Sequence, residues 1–356
     1  MLLSFFPLVA PAGAGPTTTT AGTTTTTPGT NLAGGGPIVT ATPVPVAGVD
    51  AFGIGSGQLQ SPAGVAFDGK GDLFVADSGN NRVLEYTPNS STSYSKAAAV
   101  VVGANQLSGP IGIALDGRGD LFVTDLRGNN VVEYGYDAST GTYAPSGTVV
   151  AGTATDLTGV ALDAKGDLFL TAPASNSVEE FAYNSATGTY ASVGTDVAGT
   201  GTSGSGDNQL SAPHESALDA EGDLFVVDTG NDRVMEYPFN SAAGTYATNG
   251  TEVAGPLSSG DGFLTFDAAG DLFVSYGSAT SGGVLEFAYN SATATYASSG
   301  TEVAGANDLG SAGGLAFNSS GDLFVAEAAA NLVLELVQTG LLPTAGGFAP
   351  LGTIMG

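Results

Sequence analysis

Cysteine and tryptophan are both missing from this 356-residue chain, and histidine occurs once, as His214. Without cysteine there is no disulfide and no thiolate metal site. The missing disulfides do not place the chain inside a cell, because a domain of this size can build its core without them. A single imidazole excludes any intramolecular site that needs two or three histidines. The absence of tryptophan removes one common platform for stacking sugars. Positive charge is scarce too: 7 Lys and Arg stand against 34 Asp and Glu, giving a net charge of -27. Phosphate binding needs clustered basic residues, so nucleic acid is excluded as a partner. Anionic lipid surfaces are disfavoured for the same reason.

What is abundant is glycine, with 55 residues, and it recurs in order. The tetrad Gly-Asp-Leu-Phe appears six times, with its aspartate at Asp72, Asp120, Asp167, Asp223, Asp271 and Asp322. A repeat period near 50 residues marks a propeller or solenoid. Within residues 62–86, Val65 and Phe67, then Leu73 and Val75, alternate as strands do. Asp68-Gly69-Lys70-Gly71 and Ser78-Gly79-Asn80-Asn81 supply turn chemistry between them. A third strand is expected at residues 83–86 and a fourth near residues 100–102. Four antiparallel strands per unit make a propeller blade.

Pro62-Ala63-Gly64-Val65-Ala66-Phe67-Asp68, followed by Gly71-Asp72-Leu73-Phe74-Val75-Ala76-Asp77-Ser78-Gly79-Asn80-Asn81-Arg82-Val83, resembles the NHL repeat. The resemblance runs over about residues 37–338 and implies an all-β, six-bladed propeller. It implies no single activity, because such propellers include sensors, protein-binding modules and enzymes. Blade six lacks its own fourth strand. Residues 46–59 align without a gap on residues 197–210, both ending Gln-Leu, so a strand near residues 38–47 is expected to complete blade six and close the ring.

The chain ends read differently. Residues 1–15 are apolar and carry Ala10-Pro11-Ala12 and Ala12-Gly13-Ala14, small-residue patterns that fit the end of a secretory signal peptide, although a positive leading region is missing. The apolar run is too short to span a bilayer, which takes ~20 residues, and no transmembrane segment is expected. A secreted or cell-surface location follows from that reading. Residues 16–36 are Thr-rich and are expected to form a disordered linker. The propeller occupies residues 37–338, and residues 339–356 form a C-terminal tail.

Half of the acidity belongs to the repeat. Asp68, Asp116, Asp163, Asp219 and Asp267, with Asn318, form one column; the tetrad aspartates form a second; Glu85, Glu133, Glu180, Glu236, Glu286 and Glu335 form a third. A catalytic pair is not copied into every blade, so these columns read as scaffold. Asp68 to Asp72 lacks the ligand series of a calcium loop and reads as an Asx turn. Arg82 and Arg233 are placed to pair with Asp77 and Asp228. Aromatic pairs such as Tyr183 with Tyr190 are expected to brace hairpins.

Blade four breaks the pattern. The position after the repeat proline reads Ala63, Ile111, Thr158, His214, Gly262 and Gly313; the next reads Gly64, Gly112, Gly159, Glu215, Phe263 and Gly314. An imidazole and a carboxyl stand where most blades carry small or apolar groups. Places where repeat logic fails are candidate sites. His214 and Glu215 are the candidate catalytic pair, and Glu215, Asp207, Asp228 and Asp261 are candidate oxygen ligands for Ca2+ or Mg2+. Pro213-His214 with its acidic neighbour distantly resembles streptogramin lyase propellers, which implies a channel His and Glu acting with a divalent cation. The first expectation is an exported, non-enzymatic propeller that binds a protein, glycan or small ligand. The alternatives are a cation-assisted lyase or hydrolase at His214 and Glu215, and a structural surface spacer.

Overall fold

Each Gly-Asp-Leu-Phe tetrad opens the second strand of a blade, and the turn before it is closed by an aspartate. Oδ1 of Asp68 accepts the backbone N–H of Lys70 and of Asp72, each at 2.9 Å. Asp116, Asp163, Asp219 and Asp267 repeat this arrangement, and Asn318 serves in blade six. The turn is therefore an Asx turn whose Oδ1 is spent on two backbone donors. Gly71 sits in it at φ +87°, a conformation that glycine adopts without a Cβ penalty.

The computed structural model describes residues 41–48, 53–90, 93–151, 156–257, 260, 262–278 and 281–338. They form six four-stranded antiparallel sheets and five two-stranded hairpins. Blade one runs Pro62–Phe67, Leu73–Asp77, Arg82–Tyr86 and Ala99–Val102 from the axis outward. Blades two to five repeat that order, with first strands Pro110–Leu115, Val160–Leu162, Ser216–Leu218 and Leu264–Phe266. Blade six has Ala312–Phe317, Leu323–Glu327 and Leu332–Gln338, and its fourth strand is Ala41–Ala47. That strand pairs antiparallel with Leu332–Gln338, and Val46 and Ala47 are buried with Val333 and Phe324. The N-terminal closure read from residues 38–47 is thus present, and it gives blade six its fourth strand. The proposed signal peptide, the linker and the tail lie outside the described residues. Among the described residues no helix is long and apolar enough to cross a membrane.

The outer hairpins join neighbouring blades. They carry ring pairs, such as Tyr136 with Tyr143 at 5.2 Å and Tyr183 with Tyr190 at 5.1 Å. The second ring of each pair also meets, edge-on, the tetrad phenylalanine of the preceding blade: Tyr143 on Phe74, Tyr190 on Phe122, Tyr246 on Phe169, Tyr296 on Phe225. Tyr94 does the same to Phe324 across the closure. Each phenylalanine so covered is buried, which stabilises the ring by ~2 kcal/mol per side chain. The second column of aspartates fixes these hairpins: Oδ1 of Asp120, Asp167, Asp223 and Asp271 accepts the N–H of Tyr136, Tyr183, Phe239 and Tyr289. Blade one has Pro88 at that place, with no N–H to give.

The expected ion pairs form. Nε of Arg82 donates to Oδ2 of Asp77 at 2.7 Å, and Arg233 does so to Asp228 at 2.8 Å. Both guanidinium groups also donate to carbonyls of the long loop entering their blade, at Gln58 and Gln209. These buried charges are thus paired and hydrogen-bonded, as burial requires.

Candidate functional site

The first strand of each blade is the edge strand of its sheet, and the six edges enclose an axial channel of about 850 Å³. Its narrowest ring is set by the positions after the blade-entry turns. A Cβ on Gly112 would lie 2.6 Å from the Thr158 carbonyl oxygen, and one on Gly314 would lie 2.7 Å from that of Ala63. Neighbouring strands meet backbone to backbone there, and only glycine fits. In blades four and five the strands leave room, and Glu215 and Phe263 fill it.

Glu215 is buried and leans toward blade three. A Cβ on Gly159 would lie 2.7 Å from its Oε1. Its carboxyl accepts the backbone N–H groups of Ser216 and Val160. Burial pushes its pKa from 4.5 up to about 8, against the opposing pull of those two donors. At neutral pH the carboxyl therefore keeps its proton. Beside it, Oγ1 of Thr171 donates to Oγ of Ser216 at 2.9 Å.

His214 leans the other way. Its Nδ1 lies 3.2 Å from the Gly262 carbonyl oxygen, and its ring meets Phe263 edge-on at 5.0 Å. Its carbonyl accepts from Oγ1 of Thr158. Successive side chains on an extended segment point to opposite faces, and here they enter opposite neighbouring blades. Glu215, Ser216 and Phe263 line the channel cavity. The remaining candidates are scattered. Asp228 is taken up by Arg233, Asn231 and the Ser211 N–H. Asp207 is exposed, with its carbonyl accepting from Gly250. Asp261 lies outside the described residues. Among the described residues no three His, Asp or Glu side chains gather as a metal ion would need. Glu215, Asp207 and Asp228 are thus not brought together as a site for a hard cation would need.

The cavity opens toward the turns between first and second strands, with Asp68, Lys70, Asp116, Arg118 and Asp267 at its rim. At the other end, where the loops enter the first strands, the close backbone contacts of Gly112 with Thr158 and of Gly314 with Ala63 narrow the channel. Gly64, Gly112 and Gly314 were the signal for that closure. The rim is uneven in charge. Lys70, Arg118 and Lys165 stand within 3.6 Å of the Asx aspartate of their own turns, while blades four, five and six carry Glu221, Ala269 and Ser320 there. The uncompensated side shows it: burial and neighbouring aspartates push Glu236 and Glu286 up to about 7, and burial pushes Asp219 up to about 6.

A sequence profile described as "Lactonase, 7-bladed beta-propeller" matches residues 116–316. The chain belongs to this family. A profile of the NHL repeat matches residues 59–86, around blade one. The lactonase family is described as seven-bladed; this member closes its ring with six. Among solved structures, a gluconolactonase from Xanthomonas campestris is similar at 18% identity and TM-score 0.58, over 85% of this chain and 97% of that one. An auxiliary nutrient binding protein from Bacteroides ovatus is similar at 12% identity and TM-score 0.53, over 80% and 71%. A streptogramin B lyase is similar at 13% identity and TM-score 0.50, over 80% of this chain and 95% of that one. At such identities the likeness is one of fold. No curated protein matches the sequence significantly.

Proposed function

We propose that this lactonase-family propeller is an exported binding protein whose channel takes a small, neutral, oxygen-bearing molecule of sugar, polyol or lactone type. The observation that carries the reading is Glu215: one buried carboxyl, held protonated, at the narrow end of the channel cavity. A cavity of this size suits a small molecule. Free strand edges offer N–H donors and carbonyl acceptors along its wall, and a protonated Glu215 adds a donor for a ligand oxygen. A charged ligand would meet no counter-charge at that depth among the described residues. Export rests on the apolar start of the sequence alone.

Calorimetry with a panel of sugars, polyols and sugar lactones tests this. Binding should weaken as pH rises through about 8, where Glu215 loses its proton. Glu215→Gln should keep binding and lose that pH dependence, since an amide donates at any pH; Glu215→Ala should lose binding. Equal affinity in Glu215→Ala would overturn the reading.

Family membership favours one second reading, lactone hydrolysis. Water would add to the lactone carbonyl carbon, the ring C–O bond would break, Glu215 would give its proton to the departing oxygen, and the proton released by the water would return to Glu215, leaving a hydroxy acid. Turnover by the wild type, lost in both Glu215→Gln and Glu215→Ala, would distinguish it, because the amide cannot donate a proton to the leaving group.

A further inference from the structure

Blade two carries the carboxylate of the buried ion pair without its cation. In blade one, Oδ2 of Asp77 accepts from Nδ2 of Asn80 and Nε of Arg82; in blade four, Oδ2 of Asp228 accepts from Asn231 and Arg233. Aligned on these, blade two reads Asp125, Gly128 and Asn130. Both donors are missing. Oδ1 of Asp125 still accepts from Ser108 and Gly128 N–H, but among the described residues no donor reaches Oδ2. Asp125 is nonetheless only 6% exposed.

The space is left open as well. A cavity of about 260 Å³ is lined by Asp125, Asn130, Tyr134 and Gln106, and shares no lining residue with the axial channel. Oδ1 of Asn130 and Oη of Tyr134 are buried there without a hydrogen-bond partner. Tyr237, in blade four, is likewise without one, so the tyrosine does not distinguish blade two; the carboxylate does. The covering loop differs too. Gln209 follows Gly199 by ten positions, and Gln58 follows Gly48 by ten, whereas Gln106 follows Gly103 by three. The long loops place carbonyls of Gly55 and Gly206 over the arginine; the short one leaves the cavity reachable from solvent.

We propose that this cavity in blade two is a binding site for an external guanidinium group. The ligand's N–H groups would occupy the place of Arg82 and Arg233, donating to Asp125 Oδ2, to Asn130 Oδ1 and to the Gln106 carbonyl. A planar, multi-donor cation matches a carboxylate flanked by two neutral acceptors better than a compact ammonium does. The net charge of -27 draws such a cation toward the protein. The group comes either as a free small molecule or as an arginine side chain of a partner, and the two sources share this chemistry.

The test is titration of the full chain, followed by NMR of the Asn130 side-chain amide, with methylguanidinium, with methylammonium, with potassium chloride, and with a capped arginine peptide. Methylguanidinium and the peptide should both shift that signal, with methylammonium and potassium about tenfold weaker or silent. Equal affinity for the two guanidinium probes assigns a free small molecule; tighter binding of the peptide assigns a protein arginine. Asp125→Asn should weaken binding about tenfold or more. Because that change can also disturb the fold, Asn130→Arg is the second variant: it supplies the arginine of blades one and four, and should raise the melting temperature and abolish guanidinium binding. Undiminished binding in Asn130→Arg, saturation by potassium in preference to guanidinium, or no shift with either guanidinium probe would overturn the proposal.

Discussion

Oδ1 of Asn331 accepts the backbone N–H of Ser61 at 2.8 Å, joining the last blade to the first across 270 residues of sequence. Asn331 holds φ +60°. The same latch recurs between other neighbours: Asn81 to Gly109, Asn129 to Asp156, Asn176 to Ala212. Each asparagine sits in the left-handed region, which asparagine tolerates better than most residues with a Cβ. The backbone conformation and the latch therefore ask for one residue type. Asn331→Gly keeps the conformation and loses the latch, so a loss of ~1 kcal/mol is expected. Asn331→Ala loses both, and ~2 kcal/mol is expected. Urea unfolding of the two variants separates the terms.

Closure by Ala41–Ala47 makes a second prediction. Removing residues 1–36 leaves that strand in place and should leave the melting temperature unchanged. Removing residues 1–48 strips blade six of its outer strand and uncovers Val333 and Phe324. A loss of at least ~3 kcal/mol is expected from the exposed apolar area, together with association through the bare edge. Thermal melts and light scattering of the two truncations check this. Coincident melts would show that the strand adds nothing to the closed ring.

Much of this architecture was legible in the sequence because a repeat prints each structural role several times. Asp68 and its five counterparts share one turn, and a role copied into every blade is scaffold. The ion pairs Asp77–Arg82 and Asp228–Arg233 were readable for the same reason. The candidate site was only partly legible. Glu215 and His214 stood out as exceptions, but their opposite directions depend on which neighbouring blade leaves room: Gly159 on one side, Gly262 and Phe263 on the other. That is a property of the closed ring, absent from any one repeat. The reach of Tyr143 onto Phe74 was hidden likewise, since it joins consecutive blades at a distance only the ring radius sets. Which end of the channel stays open depends on backbone contacts such as Gly112 against Thr158, which Gly64, Gly112 and Gly314 hinted at without locating.

The uneven rim yields a third prediction. Glu221 occupies the place that Lys70, Arg118 and Lys165 hold in blades one to three, and its charge adds to the burial that raises Asp219. Glu221→Lys removes a repulsion and supplies an attraction, so the pKa values of Asp219 and Glu236 should fall. A stability gain of ~1 kcal/mol is expected at pH 7, since the position is exposed. The gain should shrink at pH 4, where Asp219 is protonated in the folded protein, and in 1 M salt, which screens surface charge to within ~3 Å. A gain independent of both pH and salt would mean that something other than charge is responsible.

Glu215 fixes the last prediction, the direction of the pH dependence of stability. Its folded pKa is about 8 against an ordinary value of 4.5. Between those values the folded protein holds a proton that the unfolded chain has released. Stability therefore falls as pH rises through that window, by at most about 1.4 kcal/mol per unit, and levels off above about 8. Below pH 4.5 both states are protonated and the burial of Glu215 carries no ionisation penalty. Asp219, raised to about 6, and Glu236 and Glu286, raised to about 7, act in the same direction. The wild type should accordingly melt higher at pH 5.5 than at pH 8.5. Glu215→Gln isolates one contribution. The amide keeps an oxygen for the N–H groups of Val160 and Ser216 but has no proton to lose. It should match the wild type at pH 4.5 and exceed it at pH 8.5 by on the order of 3 kcal/mol. Calorimetric melts at the two pH values are the measurement. Parallel pH profiles for wild type and variant would mean that the carboxyl is ionised in the folded channel, and the protonated donor on which ligand recognition is proposed to depend would be lost with it.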